Sequence, residues 1–228
     1  SRYSEDSYYV VGKSKPRNDW TYVLPGPDDS WAGNLAHAAN IDFVLDRAVS
    51  DGTCRLTLSF VDTHSHAPPQ LEIRVTGKSW TEQTTAGAGD DSIDAQPDRG
   101  KASEIHVDFP ASLLTKGLNS VQITNTRGSW IIYDSVTLTG PDADTLGAPS
   151  DFFKINSAEW LRNVLKKEDG AMKQVLRVSA FNSGPARSAE LRVSGEAPVK
   201  LSIPSGRNTL EVAYPESRST VKNAVQLS

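Results

Sequence analysis

Short segments in which every second residue is apolar recur through the first 140 residues of the chain. A period of two places apolar side chains on one face of a β-strand and polar side chains on the other. The apolar positions that share this period are Ile41, Phe43, Leu45; Cys54, Leu56, Leu58, Phe60; Leu71, Ile73, Val75; Ile105, Val107, Phe109; Val121, Ile123; and Trp130, Ile132, Val136, Leu138. With the apolar run from Tyr8 to Val11, they predict at least seven strands, enough for two sheets packed face to face in an all-β sandwich.

A polar segment rich in Gly, Pro and Asp, residues 141–150, follows these strands and predicts a linker. It divides the chain into a first domain, residues 1–140, and a second domain, residues 151–228. The second domain repeats the period of two at Leu176, Val178, Ala180, Leu191, Val193, Leu201, Ile203, Leu210, Val212 and Tyr214. Its length and spacing predict a smaller immunoglobulin- or fibronectin-like sandwich. Apolar residues at helical spacing between 160 and 165 leave open either a short helix or an irregular strand there.

The formal charge of the chain is unevenly distributed. Residues 1–149 carry 12 Lys and Arg against 20 Asp and Glu, a net charge of −8, whereas residues 150–228 carry 12 against 8, a net charge of +4. An acidic first domain repels phosphate and uronate groups, which argues against nucleic acid or a polyuronate as a partner and favours an uncharged sugar. No apolar run approaches the roughly 20 residues of a membrane-spanning helix. A membrane partner is therefore not expected.

Catalytic motifs are largely missing from the sequence. It contains no nucleophile elbow, no phosphate-binding glycine loop and no dinucleotide fingerprint. Cys54 is in phase with a buried strand face, which favours a structural thiol. His64 and His66 form a His-x-His pair in a loop, where metal binding, hydrogen bonding to sugar and simple solvation are the alternatives. The sequence predicts that the chain is not itself an enzyme, although paired carboxylates that meet only in three dimensions stay open as an alternative.

Asp134 has an unusual position in the pattern. Counting by twos from Trp130 and Ile132 places Asp134 on the core-facing side of its strand. A buried carboxylate needs hydrogen bonds, a cationic partner or a metal ion. One interpretation is a structural calcium bound by Asp134 together with Glu5 or Asp6, the single cofactor considered for this chain. The alternative is an Asp at a bulge or strand end that accepts hydrogen bonds from backbone N–H groups or Tyr hydroxyls.

Several aromatic residues lie in or beside loops. Flat aromatic rings pack against the C–H faces of pyranose rings, so such residues are candidates for sugar binding. The predicted carbohydrate-binding residues are Trp20, Tyr22, Trp31, His64, His66 and Trp80. Core packing is the alternative for each Trp. Trp80 precedes a Gly- and Asp-rich loop, residues 84–100, which is long enough to be either mobile or functional.

A known family shares the order of several motifs in residues 1–140. These motifs are Tyr9-Val10-Val11-Gly12, Asp19-Trp20, Asp98-Arg99-Gly100, Phe109-Pro110-Ala111, Gly117-Leu118-Asn119 and Tyr133-Asp134. In this order they resemble the C-terminal jelly-roll module, domain III, of the rhamnogalacturonan lyases of polysaccharide lyase family 4. The resemblance implies a jelly-roll β-sandwich with a carbohydrate-binding role. It does not imply lyase activity, because the catalytic base and acid of those lyases belong to a separate domain.

The second domain resembles, by its pattern and its Tyr214-Pro215-Glu216 ending, the small sandwiches that precede catalytic domains in large bacterial glycoside hydrolases. Together the two resemblances imply non-catalytic carbohydrate-binding modules, an N-terminal or ancillary part of a secreted or cell-surface polysaccharide-degrading enzyme of bacterial type. The expected partners are a polysaccharide or oligosaccharide and the catalytic domain of the parent chain. A purely structural spacer pair is the competing function, because a sandwich fold alone does not specify a function.

Overall fold

The computed structural model describes residues 3–94, 96–193, 196–215 and 225–227, with only the backbone described at 162, 163 and 225–227. The chain divides into two compact units, Ser1–Pro149 and Ser150–Ser228. Each unit contains its own hydrophobic core. Among the described residues, none of the helices is long and apolar enough to cross a membrane.

Within its described residues, the first unit contains ten strands and very little helix. The strands are β1 (Ser7–Val10), β2 (Val23–Leu24), β3 (Ala38–Arg47), β4 (Thr53–Thr63), β5 (Gln70–Val75), β6 (Lys78–Gln83), β7 (Ser103–Pro110), β8 (Gly117–Arg127), β9 (Ile131–Thr139) and β10 (Thr145–Leu146). One α-helical turn, α1, spans Pro16–Asp19, and 3₁₀ turns span Ser30–Ala32, Asp90–Ser92, Pro97–Arg99 and Ala111–Leu113. The all-β class expected from the sequence is confirmed.

Two sheets form this unit. The first sheet has the order β1-β3-β8-β5-β6, and β10 pairs with β3 beyond the residues that pair with β1. The second sheet has the order β2-β9-β4-β7. β1 runs parallel to β3, whereas β3 with β8 and β4 with β7 and β9 pair antiparallel. The apolar faces of both sheets meet in one core, as a period of two requires.

The residues at the centre of this core are the ones that the alternation predicts. They include Phe43, Leu45, Cys54, Leu56, Leu58, Phe60, Leu71, Ile73, Val75, Val107, Phe109, Val121 and Ile123, with Val136 and Leu138 half-buried against them. Burial of one such aliphatic or aromatic side chain contributes about 1.5–3 kcal/mol relative to leaving it exposed. The core therefore depends on the strand period rather than on any single contact.

Strand β9 contains a bulge that the sequence does not reveal. Ser59 of β4 lies opposite Ser135, but the next residue, Phe60, lies opposite Tyr133. Asp134 is the extra residue, and it is exposed. The predicted core-facing position of Asp134 is therefore wrong, because a bulge inserts one unpaired residue and changes the phase of the strand.

The same bulge alters which residues of β9 face the core. Ile131 and Tyr133 belong to the core cluster, whereas Trp130 and Ile132, predicted for that core, are buried outside it. The prediction counts by twos from Trp130 and Ile132 across the bulge, so the phase that it assigns is wrong on one side of the bulge. The Trp130 side chain therefore packs outside the core between the two sheets.

A Gly-x-Asn turn begins β8. Gly117 has a φ of 101°, in the region that favours glycine, and Asn119 is buried. The Asn119 side chain accepts a hydrogen bond from the Thr115 amide (2.9 Å) and donates to the carbonyls of Thr115 (2.7 Å) and Gly117 (3.0 Å). In the second unit, Asn208 likewise donates to the carbonyls two and four residues before it. The amide side chain thus satisfies the turn's backbone in both units.

In the part of the second unit that the structure describes, six strands form two sheets. They are β11 (Phe153–Glu168), β12 (Ala171–Asn182), β13 (Arg187–Val193), β14 (Val199–Ile203), β15 (Gly206–Pro215) and β16 (Val225–Leu227). The sheet orders are β11-β12-β15 and β14-β13-β16. Residues 160–165 lie within β11, whose pairing with β12 shifts register between Trp160 and Leu165, so the irregular-strand alternative holds. Glu216 of the predicted Tyr214-Pro215-Glu216 ending lies outside the described residues.

We expect residues 1–149, expressed alone, to fold. The first unit holds a core of its own and contains four tryptophans, of which Trp20 and Trp80 pack against that core. The fragment should show a single cooperative thermal transition by tryptophan fluorescence and near-ultraviolet circular dichroism, as expected for a domain of this size. A broad, non-cooperative transition in the fragment, with a cooperative one in the full chain, would contradict this expectation.

Candidate functional site

A cleft of about 700 Å³ lies where several loops of the first unit meet. Its walls come from the N-terminal segment, the turn after β2, the loop after β4, the long loop between β6 and β7, and the residues just before β9. Among the lining side chains are the aromatic residues Tyr3, Trp31, His64 and Trp130 and the carboxylates of Asp28, Asp29, Asp90 and Asp94. Aromatic rings and polar groups thus share one concave surface.

A buried carboxylate on β4 determines the position of the long loop. Asp62 is fully buried, and its Oδ1 accepts hydrogen bonds from the amides of Thr63 (2.9 Å), Ala88 (3.0 Å) and Lys101 (3.2 Å). Its Oδ2 accepts a hydrogen bond from the Ser92 hydroxyl (2.7 Å). These bonds replace the water that the carboxylate loses on burial. The middle and the end of the loop are therefore held against β4.

Two glycines allow this close approach. A Cβ atom at Gly87 would lie 1.8 Å from the Thr63 carbonyl oxygen and 2.2 Å from Asp62 Oδ1. A Cβ atom at Gly100 would lie 2.5 Å from the Val61 carbonyl oxygen. All three distances are too short for any residue other than glycine. Of the two alternatives that the loop's length suggests, the structure favours an ordered loop that forms a wall.

The hydrogen bonds also set the pKa of Asp62. Burial by itself raises the pKa of this carboxyl, but the bonds from Ser92, Ala88, Lys101 and Thr63 outweigh burial and hold the pKa below its ordinary value. A carboxyl whose pKa is lower in the folded state stabilises the fold above its unfolded-state pKa of about 3.9. That contribution is lost as the pH falls through the folded-state pKa.

We expect Asp62→Ala to lower the stability of the first unit and to free the long loop. Each buried donor left without a partner costs about 1–3 kcal/mol. In urea denaturation at pH 7 the variant should be less stable than the wild type, and the difference should shrink as the pH falls below about 4. Limited proteolysis should cut the variant within residues 84–101. Asp98→Ala, an exposed carboxylate in the same loop, is the matched control and should behave like the wild type; equal cleavage of both variants would contradict the role assigned to Asp62.

A second buried carboxylate positions the turn that carries Trp31. Asp29 accepts a hydrogen bond from the Gly26 amide (2.8 Å) and one from the Ser129 hydroxyl. The turn after β2 is thereby tied to the segment that precedes β9. Trp31 follows in a 3₁₀ turn, with 45% of its surface exposed and the ring of Tyr3 edge-on at 5.8 Å between centroids. A large aromatic face is thus presented at the cleft rather than in the core.

His64 has a defined tautomer. Its Nδ1 accepts hydrogen bonds from the amides of His66 (3.2 Å) and Ala67 (2.9 Å), which places the proton of the neutral imidazole on Nε2. The His64 Nε2 atom lies 3.7 Å from Asp90 Oδ1. The ring of Trp130 lies edge-on to the imidazole, with 5.6 Å between ring centroids. His64 therefore offers an N–H donor in the cleft beside an acceptor from the long loop.

The structure brings two of the six predicted carbohydrate-binding residues, Trp31 and His64, into the cleft. His66 is exposed in the same loop, where its ring is bonded to the Ser65 hydroxyl at 2.9 Å. Tyr22 is 47% exposed but does not line the cleft. Sequence proximity to the same turns does not place these side chains on the same surface.

Trp20 and Trp80 pack against the core instead of lining the cleft. Trp20 lies 5.2 Å from the ring of Tyr133 and 6.0 Å from that of Tyr9. Trp80 lies on β6, 5.8 Å from the ring of Phe109. For both residues the core-packing alternative holds, because each ring covers an edge of the sandwich.

The calcium interpretation rests on a buried Asp134, and that premise is wrong. Asp134 is exposed on the bulge of β9, and Glu5 is exposed near the start of the chain. Among the described residues, no group of three or more His, Cys, Asp or Glu side chains is arranged to hold a metal ion. The alternative, an Asp at a bulge, matches the position of Asp134.

Sequence reasoning missed Tyr3, Trp130 and the carboxylates of the cleft, and it missed Asp62. For Asp62 a signal was present: the alternation in the sequence of β4 continues by twos from Leu58 and Phe60 to Asp62. An acidic residue in phase with a core face indicates a buried carboxylate. The carboxylates of Asp28, Asp90 and Asp94 carried no such signal, because loop residues have no period.

A smaller cavity of about 390 Å³ lies between the two sheets of the first unit. Its lining is mostly aliphatic, with side chains such as Ile41, Val121 and Leu138, and Asp144 adds a carboxylate. Oδ1 of Asp144 already accepts a hydrogen bond from the Val49 amide at 2.8 Å. A polar ligand would find few partners there, so the loop-lined cleft is the better candidate site.

The sequence of the first unit matches a known family. Residues 2–138 match the model described as CBM-like, polysaccharide lyase family 4, domain III. The chain belongs to this family. The match spans strands β1 to β8, nearly all of β9 and the cleft residues Trp31, His64 and Trp130, but not β10. No curated protein sequence matches the chain.

Solved structures of glycosidases show a distant similarity. One is a GH2 β-galacturonidase from Eisenbergiella tayi bound to galacturonate, with 7% sequence identity, a TM-score of 0.26, and 84% of this chain and 33% of that chain covered. Another is a β-D-mannosidase from Dictyoglomus thermophilum, with 12% identity, a TM-score of 0.28, and 78% of this chain and 24% of that chain covered. The chain thus spans a third or less of these enzymes.

We expect Trp20→Ala and Trp31→Ala to differ in stability. Trp20 packs on the core, so its removal leaves a cavity and should cost about 2–3 kcal/mol. Trp31 is half-exposed, and its removal should change the free energy of unfolding by no more than about 0.5 kcal/mol. Urea denaturation followed by circular dichroism measures both values. An equal loss of stability in the two variants would show that Trp31 is a structural residue.

Proposed function

We propose that the first unit is a non-catalytic carbohydrate-binding module and that its ligand occupies the loop-lined cleft. The observation that carries this proposal is the half-exposed Trp31, held at the mouth of the cleft by the buried Asp29 turn. A pyranose ring packs its C–H face on such an indole, while its hydroxyl groups bond to polar side chains in the same site. His64 and Asp90 are polar groups of that kind.

The size and construction of the cleft support the same function. Its volume of about 700 Å³ lies within the range of about 300–1,000 Å³ typical of ligand sites. Its walls are loops held by buried carboxylates, so the binding surface exists before the ligand arrives. A preformed site avoids the entropy of ordering its loops on binding.

The family supports the biological setting. A CBM-like domain of a polysaccharide lyase family acts beside a catalytic domain, and we infer such a partner in the parent protein of this chain. A secreted or cell-surface location follows from a polysaccharide substrate, which is met outside the cell. The second unit then serves as an accessory sandwich. If the first unit binds no glycan, the whole chain is a structural spacer.

We expect the purified chain to bind an uncharged polysaccharide weakly. Electrophoresis in gels containing galactan or arabinan should retard the wild type, with a dissociation constant in the high-micromolar to millimolar range, or about 4–6 kcal/mol. Trp31→Ala should abolish the retardation, because it removes the stacking surface of the cleft. Incubation with the same polymers should release no reducing ends above a heat-killed control.

Tyr22→Ala is the matched control for this experiment, because Tyr22 is equally exposed but lies outside the cleft. The Tyr22 variant should migrate like the wild type. Loss of retardation in the Tyr22 variant but not in the Trp31 variant would move the binding surface away from the cleft. If no polysaccharide retards the wild type, the purely structural spacer function is the alternative that holds.

A further inference from the structure

His64 and Asp90 present opposite hydrogen-bonding groups to the cleft. The Nε2–H of His64 only donates, because the tautomer is set by the two amides bound to Nδ1. The ionised carboxylate of Asp90 only accepts. The His64 Nε2 and Asp90 Oδ1 atoms lie 3.7 Å apart, which exceeds the 2.7–3.2 Å of a good N–H···O bond. Each group therefore retains its capacity to bond a third group.

A sugar hydroxyl is the group that suits both partners. It donates one hydrogen bond and accepts others, so it can accept from His64 and donate to Asp90 at the same time. A carboxylate only accepts and would meet the negative charge of Asp90. An ammonium group only donates and would leave the His64 N–H without a partner.

The pair is held in place by the fold. The His64 ring is fixed by its own turn and by the edge of Trp130. Asp90 begins the 3₁₀ turn Asp90–Ser92, and Ser92 is bonded to the buried Asp62. Because the His64 ring and the backbone at Asp90 are positioned without the ligand, the pair can select a ligand by its hydrogen-bonding character.

The remaining charges on the cleft have the same sign. All charged side chains that line it within the described residues are acidic, and the exposed carboxylates of Asp28 and Asp94 lie beside Asp90 and the buried Asp29. A uronate entering the cleft would approach these groups without a cation to offset them. The charge of the cleft and the hydroxyl pair thus favour the same ligand.

We propose that His64 and Asp90 together bind one hydroxyl group of an uncharged sugar, and that this pair makes the cleft select neutral glycans over polyuronates. The inference rests on the proposed function, since it concerns the same cleft. It adds the chemical class of the ligand and the two residues that determine it.

Two single variants and their combination test the pair. In His64→Asn the side-chain oxygen can still accept bonds from amides two and three residues ahead, as in an Asx turn, but no donor reaches the cleft. Asp90→Ala removes the acceptor from an exposed position. Each should weaken binding about tenfold, the loss of one charge-assisted hydrogen bond. The double variant should be weaker than either single one by no more than about threefold, because both residues serve one hydroxyl.

The probes are gels containing galactan, arabinan, polygalacturonate or carboxyl-reduced polygalacturonate. The last two polymers share every linkage and differ only in a carboxylate or a hydroxymethyl group at C6. The wild type should be retarded more by the carboxyl-reduced polymer than by polygalacturonate. His66→Asn, in the same loop, is the control variant and should bind like the wild type, and melting temperatures should show that each variant is folded.

The outcomes separate the inference from the proposed function. If no polymer retards the wild type, the proposed function fails, and the inference fails with it. If uncharged polymers retard the wild type and both single variants equally, or if the double variant shows the sum of the two losses, the hydroxyl pair is wrong while the function stands. Equal retardation by polygalacturonate and its reduced form would also overturn the selectivity.

Discussion

The buried carboxylate of Asp62 holds together the end of the first unit where its loops meet. It follows Leu58 and Phe60 on β4, where the pairing with β9 shifts register and the apolar core ends. A buried charge without partners is very unfavourable, and here three backbone amides and one hydroxyl satisfy it. Those donors belong largely to the long loop, which must therefore lie against β4. The cost of ordering that loop is offset by the hydrogen bonds it supplies, and Asp90 and Asp94 reach the cleft as a consequence.

The bulge of β9 has a comparable effect on the aromatic residues. By adding Asp134 to the strand, it turns Tyr133 inward, where the hydroxyl is buried without a hydrogen-bond partner among the described residues. Burial raises the pKa of this phenol well above its ordinary value. The neighbouring Trp130 is released from the main core and packs edge-on to His64 at the cleft. Bulges often redirect a side chain in this way, and here the redirected residue supports the candidate site.

Scaffold and site are built by different means. The two sheets are held by an apolar core whose residues follow a period of two. The cleft is built from loops that buried polar groups fix to the ends of the strands: Asp62 for the long loop and Asp29 for the turn before Trp31. Loops on a rigid scaffold carry function in many folds. The buried carboxylates of Asp62 and Asp29 thus give the sandwich a preformed cleft.

The sequence by itself determined the strands, the all-β class and the family. Alternation and turn residues are local features, so they can be recognised without any knowledge of tertiary contacts. It also indicated Trp31 and His64, two residues of the cleft, from their place beside turns. It did not separate them from Trp20 and Trp80, which share the same sequence context but cover the edges of the core. Only the tertiary structure decided that difference. It also decided the exposure of Asp134 and the proximity of His64 to Asp90. Each depends on a bulge, a buried carboxylate or a loop path, which are long-range features with no period in the sequence.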